Sequence, residues 1–306
     1  MNKNHINKNA IKGEIILLLA AILWGSCFLF QKKGMDYIGP FTLGSFRFLI
    51  GGMLLIPVIC IFSMNRKEEN CKSQYKKNNS IKSGVLCGII MFMAATLQQI
   101  GLIYTTSGKA GFITSMEIIV VAIITIFITK KIFLNIIIGL ITALAGMYLL
   151  CIKTGMSIQT GDFIVLLGSV FFGFQIILID KYSKIYDAIK LSFIQFITAG
   201  MLSTVFMIAF EHFDMKSIIM ASESILYTAF IEVAICYTLQ VIGQKYVQPV
   251  IASVTLTLQS VFAVIFGAVF LGESMLLREV AGCFLMLTAV VIAQIPAKIS
   301  YTIRKK

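Results

Sequence analysis

Charge is scarce in this chain. Of 306 residues only 13% are Asp, Glu, Lys or Arg, while 58% are hydrophobic; a soluble domain carries about a quarter charged residues. With a mean hydropathy of +0.92, there is too little polar surface for an ordinary water-soluble protein, and the solvent for most of the chain is lipid. Histidine is nearly absent: the two, His5 and His212, fall in a tail and a loop, which leaves His-based ligation or catalysis little to work with. The seven cysteines form no CxxC pair and sit mostly in apolar runs, where Cys acts as a small hydrophobe, so neither a zinc site nor a disulfide framework is implied. No GxxxxGK[ST] loop exists to cradle a nucleotide, which excludes direct drive by ATP. No His–acid or Ser–Lys pair marks a membrane enzyme, and no cofactor or metal is expected.

What the chain does have is long apolar runs. Ten of them, at 14–31, 41–63, 83–104, 108–129, 132–152, 162–180, 188–210, 217–241, 249–271 and 277–296, approach or exceed the length that crosses a hydrocarbon layer of about 30 Å as a helix. "IIVVAIITIF" does not alternate, so these are helices and not barrel strands. Connections are short; the longest, 64–82, reads as a mobile Lys- and Asn-rich loop. The first run carries the basic and apolar regions of a signal peptide, but "WGSC" lacks the aliphatic residue of a lipoprotein site before Cys27, and it reads as an uncleaved helix.

The net charge of +12 is explained by its placement. With the N-terminus in the cytoplasm, 19 of the 26 Lys and Arg residues fall on that side, six fall opposite and Arg47 lies within a helix. The positive-inside rule then puts both termini in the cytoplasm. Basic residues do not interleave with exposed aromatics, so no nucleic-acid partner is expected.

The chain also repeats itself. "GEIILLLAAILWGSCFLFQKK" (13–33) aligns with "GDFIVLLGSVFFGFQIILIDK" (161–181) at an offset of 148, which sets Trp24-Gly25 on Phe172-Gly173. At an offset of 142, 98–123 aligns with 240–265, pairing Gln98 with Gln240, Gly101 with Gly243 and Glu117 with Gln259. Two units follow, 13–155 and 156–298, each of five helices. An odd number forces the second unit to enter the membrane from the other side, so the fold class expected is all-α, with ten transmembrane helices in two inverted repeats. Inverted repeats place a solute site near the midplane at their interface.

"IGPFTLGSFRF" (38–48), "YTTSGKAGFITS" (104–115) and "QKYVQPVIASVTLTLQSVFAVIFGAVFLGES" (244–274), with the five-plus-five duplication, resemble the EamA-type branch of the drug/metabolite transporter superfamily over nearly the whole chain. The resemblance implies a carrier, often an exporter of amino acids or other small metabolites. Its central cavity would be walled by the first, third, fourth, sixth, eighth and ninth helices. One departure is that the fourth helix ends in "ITKK" (128–131) where its repeat mate ends in "LGES", which alters that cytoplasmic turn.

Individual residues then stand out. Glu117 lies about nine residues into its helix, roughly 13 Å deep, with Gln259 at the matching place. An ionisable group there costs about 3 kcal/mol unless it meets water or a partner, so Glu117 is a candidate for binding a proton or a cationic group. Glu232 is a second. Arg47 either snorkels to the outer interface or turns inward to pair a carboxylate. Trp24 sits deep, away from the interfacial belt. Gln98, Gln99 and Gln175 offer donors and acceptors to a solute, or equally link helices.

The expected function is secondary transport of small organic solutes, in contact with lipid and with protons as candidate coupling ions. An uncoupled channel, facilitator or lipid permease is the alternative. The excess of Lys over Arg, with much Ile and Asn, fits an A/T-rich bacterial genome and a cytoplasmic membrane. A homodimer is left open.

Overall fold

The computed structural model describes residues 8–64, 73–105, 107–151, 159–212, 214–271, 276–294 and 300–302. They are overwhelmingly helical. The elements are α1 (Lys8–Gly34), α2 (Pro40–Met53), α3 (Leu55–Met64), α4 (Ser73–Ile103), α5 (Ser107–Thr114), α6 (Glu117–Thr129), α7 (Leu134–Cys151), α8 (Thr160–Ser183), α9 (Ala188–Phe210), α10 (Met215–Met220) and α11 (Ser222–Tyr227). A π-helical segment (Thr228–Tyr237) follows, then α12 (Thr238–Gln244), α13 (Pro249–Leu256), α14 (Gln259–Leu271) and α15 (Leu277–Gln294). Among the described residues, eight helical stretches are long and apolar enough to cross a membrane.

Helix starts are written in the sequence. Pro40 and Pro249 open α2 and α13, where a missing N–H is harmless. Asp187 caps α9 by accepting from the N–H groups of Ile189 and Lys190, and Gln159 with Asp162 forms a capping box on α8. The start of α2 is held from another helix: Glu211, just past α9, accepts from the N–H groups of Phe41 (2.8 Å) and Thr42 (2.7 Å) and from the Thr42 hydroxyl (2.6 Å). Carboxylate meets the positive end of the helix, and a Cβ at Gly39 would run into that carboxylate.

Three details differ from the sequence reading. The loop expected over 64–82 is shorter, because α4 begins at Ser73 and carries its helix past the apolar run; residues 65–72 lie outside the described residues. The second apolar run is two helices, broken at Leu54. Pro57 cannot donate to the Met53 carbonyl four residues back, which ends the regular ladder there. At "ITKK", Lys130 adopts the left-handed region at φ 54° and Lys131–Phe133 forms a short strand (β1) antiparallel to Ser300–Thr302 (β2). Residues 272–275, most of the matching "LGES", lie outside the described residues.

α1 runs through the centre, packed on α12, α13, α14 and the π segment, while α4 packs on α8 and α9, α2 on α9, and α7 along α15. Phe127, Phe163, Phe210 and Val291 face outward, as a lipid-facing surface requires. Lipid gives no hydrophobic drive between helices, so close backbone contact and dispersion must hold them. The contacts occur in matched pairs. Gly13 abuts the Gly243 carbonyl and Gly161 abuts that of Gly101; Gly25 abuts that of Gln259 and Gly173 that of Glu117.

A methyl at Gly25 would sit 2.8 Å from the Ala263 nitrogen and 2.9 Å from the Gln259 carbonyl oxygen, both backbone, whereas one at Gly111 meets nothing within 4 Å. Gly25→Ala is therefore expected to lower stability by about 1–3 kcal/mol, and Gly111→Ala to leave it unchanged or raise it. Thermal unfolding of the two variants in detergent checks this.

Candidate functional site

The fourth apolar run is not one helix. α5 ends at Thr114 and α6 starts at Glu117, and across the break Met116 N–H bonds the Ile113 carbonyl (3.0 Å) and Ile118 N–H that of Ser115 (3.2 Å), both three residues back. The same break separates α13 from α14. Leu258 bonds Thr255 and Ser260 bonds Thr257, each at 3.2 Å, and Gln259 starts α14 as Glu117 starts α6. Two broken helices thus present matched polar residues at one level.

Between them lies a cavity with about 440 Å³ of space among its side chains, of which about 30 Å³ is open to the centre of a water molecule. That is room for about two waters. Its wall is Trp24, Phe28 and Gln31 of α1, Gln98 of α4, Thr114 and Glu117 at the first break, and Phe172 and Gln175 of α8. Glu232, Tyr237 and Gln240 of the π segment and α12, with Leu256 and Gln259 at the second break, close it. These stretches correspond to the first, third, fourth, sixth, eighth and ninth apolar runs.

The polar groups are partly spoken for. Gln98 donates to the Thr114 hydroxyl (2.9 Å) and Gln240 to the Gln175 amide oxygen (3.2 Å). Trp24 meets Tyr237 edge to face, ring centroids 4.8 Å apart. Gln31 Oε1, Gln240 Oε1 and Gln175 Nε2 are buried without a partner among the described residues. Glu232 is 1% exposed and accepts from Arg47 Nη1, at 3.1 Å to each oxygen, with the Gln31 side chain also against it. Glu117, 6% exposed, has no hydrogen-bond donor or cation at its carboxylate among the described residues.

Of the sequence candidates, the structure brings Trp24, Gln98, Glu117, Gln175, Glu232 and Gln259 together around one cavity. Arg47 and Gln99 stand behind the wall. Arg47 does not snorkel: it turns inward to Glu232 and lies against the Phe48 ring, 5.0 Å from its centroid. Gln99 is fully buried and donates to the Gln31 carbonyl at 3.4 Å, linking α4 to α1. It stands outside the cavity wall, in the helix-linking one of the two roles open to it, because its neighbour Gln98 holds the inward position.

A family model described as the EamA-like transporter family matches residues 11–152 and again 159–294. The chain belongs to the EamA-like transporter family. It is 31% identical over 284 residues to an "Uncharacterized transporter" of Archaeoglobus fulgidus, across 92% of this chain and 85% of that protein. A crystal structure described only as that of a protein superposes with a TM-score of 0.74 at 16% identity, covering 94% of this chain and 98% of its own. At that identity it shares the fold alone. This EamA chain is accordingly a multi-pass membrane protein and a transporter.

Sequence reasoning missed several of the transporter's wall residues. Gln240 was legible, since the 142-residue offset pairs it with Gln98. Gln31 was hidden by the adjacent Lys32 and Lys33, which read as a helix end. Tyr237 depends on the π segment, whose wider turn no periodicity announces.

Proposed function

We propose that this EamA protein is a secondary carrier that moves small organic metabolites, amino acids or solutes of similar size, outward across the cytoplasmic membrane by alternating access. In this reading α7 and α15 complete ten crossings, each about 27 Å long at 1.5 Å per residue. The segments 13–155 and 156–298 act as inverted repeats, with both termini in the cytoplasm. The matched glycine contacts, the matched helix breaks and the two family matches all support the duplication. The charge bias supports the orientation, and the outward direction follows from the family resemblance.

One observation carries the reading. Glu117, buried and without a partner among the described residues, stands at a helix break in a cavity to which both repeats contribute. A carboxyl group in that setting serves a solute or a proton, since leaving it empty would only cost stability.

The test is uptake and efflux of a labelled metabolite panel in proteoliposomes, with and without an imposed pH gradient. Saturable flux that follows the gradient, reduced about tenfold or more by Glu117→Gln, is the expected result. Flux that rises linearly with concentration and ignores the substitution would establish an uncoupled pore instead.

A further inference from the structure

The charges around the cavity do not balance. Glu232 is cancelled by Arg47, whose Nη1 is committed to both carboxylate oxygens. Among the described residues Glu117 has no such counterpart, and the wall contains no lysine or arginine. One carboxyl group without a cation beside it is left facing the cavity.

We infer that the transported solute is an organic monocation, an amine that carries no carboxylate, held by Glu117 among the rings of Trp24, Phe28, Phe172 and Tyr237. The inference rests on the carrier reading and narrows its substrate class. Three further observations support it. Aromatic faces attract cations, most strongly where water is excluded. Among the described residues, the fully buried amide atoms of the wall without a partner are two acceptors, Gln31 Oε1 and Gln240 Oε1, against one donor, Gln175 Nε2, and the Gln259 amide adds one of each. With the Glu117 oxygens, acceptors exceed donors, which suits the N–H groups of an ammonium; exchanging O and N in the paired amides of Gln175 and Gln240 leaves that count unchanged.

A solute carboxylate finds no matching seat. At the start of α14, which faces the cavity, the Ser260 and Phe262 N–H groups are turned back onto the carbonyls of Thr257 and Leu258, and no cation stands beside the N–H groups of Gln259 and Val261 that remain. Burying a carboxylate without a cation or a full set of donors is costly.

Trp24 is the only tryptophan and lines the cavity, so its fluorescence reports occupancy directly. The probes are isobutylamine, valine and isovalerate, which share one branched skeleton and differ in charge. Titrated against the purified protein at neutral pH, isobutylamine should shift Trp24 emission saturably. Valine and isovalerate should leave it unchanged at concentrations a hundredfold higher. Glu117→Asp should retain the isobutylamine response and Glu117→Gln should weaken it about tenfold or more.

Valine or isovalerate binding as tightly as the amine would overturn the inference, as would undiminished isobutylamine binding in a folded Glu117→Gln variant. No response to any probe would overturn it too. In that case the proteoliposome panel separates the two failures: saturable flux of another solute keeps the carrier, and its absence removes both. The selectivity comparison uses the native protein alone, so it stands even where a variant fails to fold.

Discussion

Replacing Arg47 by Met should cost this transporter about 3–5 kcal/mol of stability, the range seen when one member of a buried ion pair is removed. Arg47 and Glu232 are each 1% exposed and join α2 to the π segment. Without the guanidinium, Glu232 keeps a charge with no cation beside it, at a depth where charge is expensive even with compensation. Arg47→Lys should fall between, because a single ammonium cannot copy the planar fork that lies on the Phe48 ring. The double variant Arg47→Met with Glu232→Leu should recover much of the loss, since an apolar pair of similar volume replaces the ion pair at little net cost. Thermal unfolding in detergent, measured on all four proteins, checks the series. A double variant no more stable than Arg47→Met would mean that packing around Arg47, and not charge, is what the fold needs.

The helical, membrane-spanning character could be read from the chain because lipid imposes a simple rule: an apolar run of sufficient length has few other ways to satisfy its backbone. Eight of the ten runs correspond to stretches with the length and hydropathy of a span. Interruptions within the runs were harder. Pro57 accounts for one break, but Ser115-Met116 and Thr257-Leu258 contain neither proline nor glycine, and turn three residues back through their own carbonyls. Only the repeat register, which aligns the two sites, hinted that Glu117 and Gln259 share a role.

Candidate residues could be chosen because polar groups are conspicuous in lipid. Their partners could not. Arg47 and Glu232 are 185 residues apart and Lys109 and Asp162 are 53 apart, and no periodicity links such positions. Lys109 reads from the sequence as one of the six basic residues on the outer side, yet it is 6% exposed. Which of two carboxylates stays unpaired is likewise a tertiary fact, and it is the fact that singles out Glu117.

The Lys109–Asp162 pair carries the second large effect. Asp162 accepts from Lys109 Nζ (2.5 Å), the Thr105 hydroxyl (2.6 Å) and the Gln159 N–H (2.9 Å), tying α5 and the end of α4 to the start of α8. Under the proposed topology this cluster lies at the outer mouth, between the two repeats, so a carrier that rocks open to the outside must break it. Asp162→Asn keeps the shape and an acceptor for the cap but removes the charge that holds Lys109. The expected result is a more readily opened outer mouth. With the native cysteines replaced and Thr114→Cys placed in the cavity wall, a membrane-impermeant maleimide added from outside should label the Asp162→Asn protein about tenfold faster, the equivalent of about 1.4 kcal/mol. Labelling from the cytoplasmic side should slow in parallel, because population gained by one state of a two-state carrier is lost by the other. Faster labelling from both sides would instead indicate general loosening of the fold. Unchanged labelling from outside would mean that the ion pair braces α8 without barring the path to the solute.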